Sequence, residues 1–294
     1  MESSADNRPM AWLPLTPRGV AAFAYASVGR VLLFQLVASI LIAAAVVWVL
    51  SARWFPAIAS GIEHLPERGA IRSGRLEWPA NSPQTLSENR FLAFAVDLEH
   101  SGQARSASQI QVEFGRTDVR ICSVFGCAEI PYPYTVRISF NLSEVKPWWG
   151  AWAPMLLALS AAAVTAGLLL SWAALATIYC LPAWLVGLYL NRELTLGGSW
   201  RLAAAALMPG GLVMTVAIAG YGLARLDLVR LAAAWGFHIL LGWTYLFWAA
   251  VVTPKIRSEL PAKENPFRAP PVGASEEPVQ DPKNSARNPF STRP

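Results

Sequence analysis

The chain has 294 residues, of which 54% are hydrophobic and only 15% charged. Soluble domains carry about 25% charged residues, so an ordinary water-soluble fold is excluded. The formal net charge of +5 comes from scattered Lys and Arg; without a basic cluster it argues against a nucleic-acid partner and fits a positive-inside bias.

Charged side chains are missing from four runs. Three of them, residues 31–52, 202–224 and 231–254, are 22, 23 and 24 residues long. That is the length a helix needs to cross ~30 Å of hydrocarbon. The fourth, between Lys146 and Arg192, is longer. The pattern predicts an α-helical polytopic membrane protein of about four spans, with a small antiparallel β extracytoplasmic domain inserted after the first.

Residues 1–30 read as a cytoplasmic leader. Thr16-Pro17 is an N-cap followed by proline at the first helical position. It predicts a helix over 17–29, with Val20, Phe23 and Ala24 on one side, lying along the interface. The first span is 31–53. Its apolar run is too long for a signal-peptide core, so it reads as a retained anchor. Trp48 and Trp54 close it, and Trp148, Trp149 and Trp152 open the next. Trp favours the membrane interface, so both groups mark the face on which residues 54–147 stand.

That segment holds most of the polar information. From Arg53 to Lys146 ten basic residues balance ten acidic ones. Period-two alternation predicts strands at 109–114 (Ile110, Val112 and Phe114 against Gln109, Gln111 and Glu113), at 118–121 and at 136–141. Residues 91–96, continuously apolar, read as a strand covered on both faces, and 71–78 add another. The expectation is an antiparallel sheet of five or six strands, its apolar face covered by residues 55–67, by the membrane or by a second copy. Gly115-Arg116 and Phe125-Gly126 sit at turns. If Ser123–Gly126 form a hairpin turn, Cys122 and Cys127 face each other at disulfide distance. Cys180 reads as inert packing. Asp97, Glu99 and His100 end a strand; one regular strand points the two carboxylates to one face and the imidazole to the other, so they do not converge. Asn141-Leu142-Ser143 is a glycosylation sequon inside a predicted strand.

The long run predicts a span over 148–175, then an interfacial or re-entrant segment over 176–201, bending near Pro182. A five-span path would put Arg192, Arg201, Lys255 and Arg257 outside; the positive-inside bias favours four spans with both termini cytoplasmic. Ala163, Gly167 and Ser171 recur every four positions, a stripe that lets another helix approach. Span three, 202–224, contains Pro209, Gly210 and Gly211, a kink or a delayed start. Span four is 231–253, joined to span three by a short hairpin connection. Gln35 and His238 are the large polar groups within the spans; a hydrogen bond between them is favoured over proton transfer. No span contains Asp or Glu, which counts against an ion-coupled transporter. Residues 254–294 carry nine prolines and few apolar residues, the composition of a disordered tail. Asn265-Pro266-Phe267 and Asn288-Pro289-Phe290 repeat in it, either by chance or as paired docking elements for a protein partner.

The stretches "LPERGAIRSGRLEW", "FLAFAVDLEH", "QIQVEFGRTDVRIC" and "WRLAAAALMPGG" give a layout that resembles a bacterial inner-membrane domain-of-unknown-function family with four or five spans. The resemblance spans about residues 17–252. It implies the architecture above and carries over no catalytic residue. No phosphate loop, nucleophile elbow or metal motif is present. The expected function is non-enzymatic: binding, sensing or envelope scaffolding through the extracytoplasmic domain of a multi-pass inner-membrane protein. The expected surroundings are the lipid bilayer and a protein partner at the domain or tail, with no cofactor or metal. The alternative is a transport or permease component using the kinked third span and His238.

Overall fold

The structure, a computed structural model, describes residues 14–256. The leader before residue 14 and both Asn-Pro-Phe elements lie outside the described residues.

Among the described residues, four helical stretches are long and apolar enough to cross a membrane: Val28–Glu63, Leu142–Tyr189, Leu196–Gly222 and Leu228–Val252. Uncharged apolar segments satisfy their backbone internally, and the helix is the local way to do so. The first stretch comprises α2 (Val28–Val49), a π turn (Leu50–Trp54) and α3 (Phe55–Glu63). Pro56 has no N–H to give the preceding turn, and the helix widens there. Before α2, Thr16 accepts from the Gly19 N–H and opens α1 (Pro17–Ala22), followed by a 3₁₀ turn, Phe23–Tyr25. The helix expected over 17–29 is therefore interrupted, because Ser27 is itself an N-cap: its hydroxyl accepts from the Arg30 N–H at 3.3 Å and starts α2 anew.

Asn141 caps α4 (Leu142–Tyr189) through the Glu144 N–H, and α4 runs unbroken past Pro147, Pro154 and Pro182 for 48 residues. At ~1.5 Å per residue that is ~72 Å. The separate segment expected over 176–201 is thus divided: residues 176–189 are the end of α4, and 196–201 begin α5. One missing N–H at Pro182 does not end a helix whose neighbours hold it. The packed small residues of α4 are Ala176, Ala183 and Gly187, all buried. Ala163, Gly167 and Ser171 are exposed, and nothing approaches Gly167 within 4 Å of a would-be Cβ. α5 (Leu196–Ala206) and α6 (Met208–Gly222) meet at Leu207, with Pro209 in the first turn of α6, where its missing N–H is no loss. Asp227 caps α7 (Leu228–Val252).

Three arginines tie helix ends. Arg53 Nε donates to the Gly222 carbonyl at 2.8 Å, Arg192 Nη1 to Thr253 at 2.9 Å, and Arg201 Nη2 to Ala24 at 2.8 Å. The last carbonyls of a helix lack internal donors and attract cations. The bonds also sort the molecule into two ends. Residues 15–25, 191–201 and 253–256 gather at one, through Tyr25 to Glu193, Tyr245 to Leu15 and the Arg192–Lys255 bridge. The sheets stand at the other, with Arg53 and Gly222.

The sheet-bearing part contains β1 (Ala70–Arg72), β2 (Arg75–Glu77), β3 (Gln84–Glu88), β4 (Leu92–Val96), β5 (Ile110–Phe114), β6 (Asp118–Ser123), β7 (Gly126–Pro131) and β8 (Ile138–Ser139). The strands form a three-stranded sheet, β2-β1-β8, and a five-stranded one, β3-β4-β5-β6-β7. The larger sheet is mixed, not antiparallel as expected, because β4 and β5 run parallel. Residues 97–109 between them are long enough for the crossover that parallel strands need. β4 is buried on both faces, as its unbroken apolar run predicts: Leu92, Ala93, Ala95 and Val96 are at most 2% exposed. The apolar side of the sheets is covered by α3 and the first turns of α4, around Ile62, Leu65, Leu86 and Val96.

Candidate functional site

Between the sheets and these two helices lies a pocket of about 200 Å³. Ile58 and Ile62, one turn apart, line it from α3. Phe94 and Phe114 line it from β4 and β5, Phe140 from just after β8, and Val145, Trp148 and Trp149 from the start of α4. Ring contacts stiffen the wall: Phe114 and Phe140 have centroids 4.7 Å apart, Phe55 and Trp149 4.8 Å. Every lining side chain is apolar apart from the Trp ring nitrogens, so the pocket suits hydrocarbon or an aromatic ring, not a charged ligand.

On the opposite face of the larger sheet the side chains of β5 are polar and covered. Gln111 and Glu113, which the alternation places toward water, are 6% and 4% exposed. The crossover loop lies over them. Gln111 accepts from the Ser106 N–H at 2.9 Å and donates to the Ala104 carbonyl at 3.1 Å. His100 stands in the left-handed region, φ 51°, and so leaves the strand direction. Its Nδ1 meets Glu113 and its Nε2 lies 3.2 Å from an Asp118 oxygen. Burial lowers the affinity of His100 for a proton, but the hydrogen bonds to Glu113 and Asp118 more than reverse this, and its pKa is raised. The ring needs Gly115: a Cβ there would lie 2.2 Å from Nε2. Asp97 is 1% exposed. Burial alone would raise its carboxyl; hydrogen bonds donated by Ser101 and the Gly102 N–H outweigh that and hold it below the ordinary carboxylate range. Glu99 pairs with Arg116 instead. Asp97, Glu99 and His100 therefore do not form one site. The residues that converge on His100 are Glu113 and Asp118, from other strands.

These groups already satisfy one another, and no group of three or more His, Cys, Asp or Glu fit to hold a metal occurs among the described residues. Two wider hollows, about 580 Å³ beside Arg68 and Glu144 and about 470 Å³ beside His100 and Arg120, are walled by mixed charges. Ser139 and Asn141 donate to Glu144 in the first and hold its carboxyl low.

Cys122 and Cys127 are directly opposite in the β6–β7 ladder and are joined by a disulfide, Cα atoms 4.1 Å apart. Cys180 is a half-buried free thiol. Gln35 does not meet His238. Its amide, 1% exposed, donates to the Ala204 carbonyl at 3.2 Å. His238 turns back to the Trp235 carbonyl on its own helix and packs against the break at Pro209–Gly211: a Cβ on Gly210 would lie 2.8 Å from the His238 carbonyl oxygen. Asn141 is an N-cap, not a strand residue.

The aromatic pocket escaped the sequence reading because its walls come from five separate elements. The one local signal is the spacing Ile58–Ile62, which marks an apolar helix face.

Fold and pocket together define a bundle with four long apolar helices that carries a small mixed-sheet domain at one end. Compared with protein-family models, curated proteins and solved structures, the chain matches none.

Proposed function

We propose that the chain is an integral membrane protein that crosses the bilayer four times and holds its sheet domain outside the cytoplasm as a binding module for an apolar ligand. The pocket between α3, α4 and the sheets carries this reading: a concave, apolar, aromatic-lined site where the sheet domain packs on the ends of two long apolar helices. Four long apolar helices support the membrane, and the grouping of Arg192 and Arg201 with residues 15–25 and 253–256 supports a cytoplasmic position for that end. α4, longer than ~30 Å of hydrocarbon requires, links the pocket to the lipid-facing surface by one rigid rod.

The test is photolabelling of the full chain in lipid nanodiscs with diazirine-bearing palmitate. Label is expected on Phe94, Phe114 or Trp149, and Ile62→Trp, which fills the pocket, should remove it. Absence of label there, or label unchanged in the Trp variant, overturns the reading.

A second reading, a permease, keeps one observation in its favour: the α5–α6 break abuts His238. It predicts loss of solute flux in both His238→Ala and Pro209→Ala proteoliposomes, and unchanged flux in both dismisses it.

A further inference from the structure

The five-stranded sheet brings an apolar hairpin tip to the level at which the helices emerge. Asn89 Nδ2 donates to the Arg53 carbonyl at 2.7 Å. Phe91 packs on Tyr221 with ring centroids 5.1 Å apart and lies under the Arg53 guanidinium at 5.8 Å. The start of β4 is therefore anchored to the ends of α2 and α6. The strands rise from there alongside α3, since Ser87 Oγ bonds the Ala57 carbonyl, one turn beyond Arg53.

From that anchor the register is continuous. Leu92 pairs with Ile110, and Ile110 with Ser123. Ser123 thus ends β6 at the same edge as Phe91, and the next two residues, Val124 and Phe125, form the tip beyond it. With ~4.8 Å between strands, the tip sits ~10 Å to the side of β4. It is uncovered: Val124 is 64% and Phe125 65% exposed. No charged residue occurs from Ile121 to Ala128, and the Cys122–Cys127 disulfide closes the hairpin behind the tip. Arg90 is exposed on the same edge.

We infer that Val124 and Phe125 dip into the interfacial layer of the bilayer and form a second attachment of the sheet domain, beside its two helices. A rigid tip with two large apolar side chains suits that zone, where apolar groups leave water and a neighbouring Arg meets headgroups. The inference rests on the four-span reading. It makes the domain's distance from the membrane fixed rather than free.

The full chain in lipid nanodiscs tests it, with 4-trifluoromethylphenylalanine placed at Phe125, at Leu159 on the exposed side of α4, or at Tyr134 away from the edge. Fluorine signals are then quenched by a nitroxide-bearing lipid or by a water-soluble gadolinium chelate. Positions 125 and 159 should lose intensity to the lipid quencher and position 134 to the chelate. Quenching of 159 by lipid but of 125 only by the chelate overturns the inference and leaves the four-span reading standing. Quenching of 159 by the chelate overturns both.

Discussion

Gln35 and Ala204, 169 positions apart, are joined by a hydrogen bond in which the side-chain amide of one donates to the main-chain carbonyl of the other. Ala204 lies in the last turn of α5, where carbonyls lack an internal donor. The break before Pro209 thus creates an acceptor, and α2 supplies a buried amide to it. Gln35→Leu keeps the volume and strands the carbonyl. It should destabilise the bundle by about 1 kcal/mol, read as a lower thermal midpoint in detergent; an unchanged midpoint would show that the bond contributes nothing.

The crossing of α6 over α7 depends on the missing side chain at Gly210. A methyl group there would meet the His238 main chain at 2.8 Å, and backbone cannot rotate away. Gly210→Ala should cost about 1–3 kcal/mol. Gly167→Ala, in open space, should be neutral or slightly stabilising. Thermal unfolding of the two variants side by side separates packing from propensity.

The Cys122–Cys127 bond closes a short loop in an edge hairpin. Chain-entropy arguments assign a loop of that size about 2 kcal/mol. Replacing both cysteines by serine should speed amide exchange in β6 and β7 and leave exchange in α2 unchanged. Uniform loosening of the whole chain would contradict a local role.

His100 makes the crossover loop pH-sensitive. Its pKa in the fold is raised above the ordinary 6.5, with Glu113 and Asp118 holding the protonated ring. A raised value means that the stabilisation is complete below the unfolded pKa and fades as pH climbs through the folded one. Loop residues 99–108 should therefore be better protected from exchange at pH 5.5 than at pH 8.5, after correction for the intrinsic rate. His100→Asn should flatten the difference. A loop better protected at high pH would reverse the sign and sink the argument.

Much of the architecture is legible locally. Runs without charge mark helices, because a charged side chain on such a face would be desolvated. The covered strand at 91–96 is legible from unbroken apolarity, and the cysteine pair from its spacing around a turn. The covered polar face is not legible. Gln111 and Glu113 alternate like solvent-facing residues, and nothing nearby in sequence says that residues 99–108 fold over them. Nor does any local feature distinguish Ala176, Ala183 and Gly187, which pack, from Ala163, Gly167 and Ser171, which do not.

What the chain's own order of residues determines is the set of elements: four greasy helices, short strands and a stapled hairpin. Helix and strand preferences act over a few positions, so they are written locally. The three-dimensional fold alone decides the parallel step between β4 and β5, the partner of Gln35, the company of His100 and the aromatic pocket. Each of these joins groups far apart along the chain, and each is selected by which buried donors, acceptors and surfaces would otherwise go unmatched.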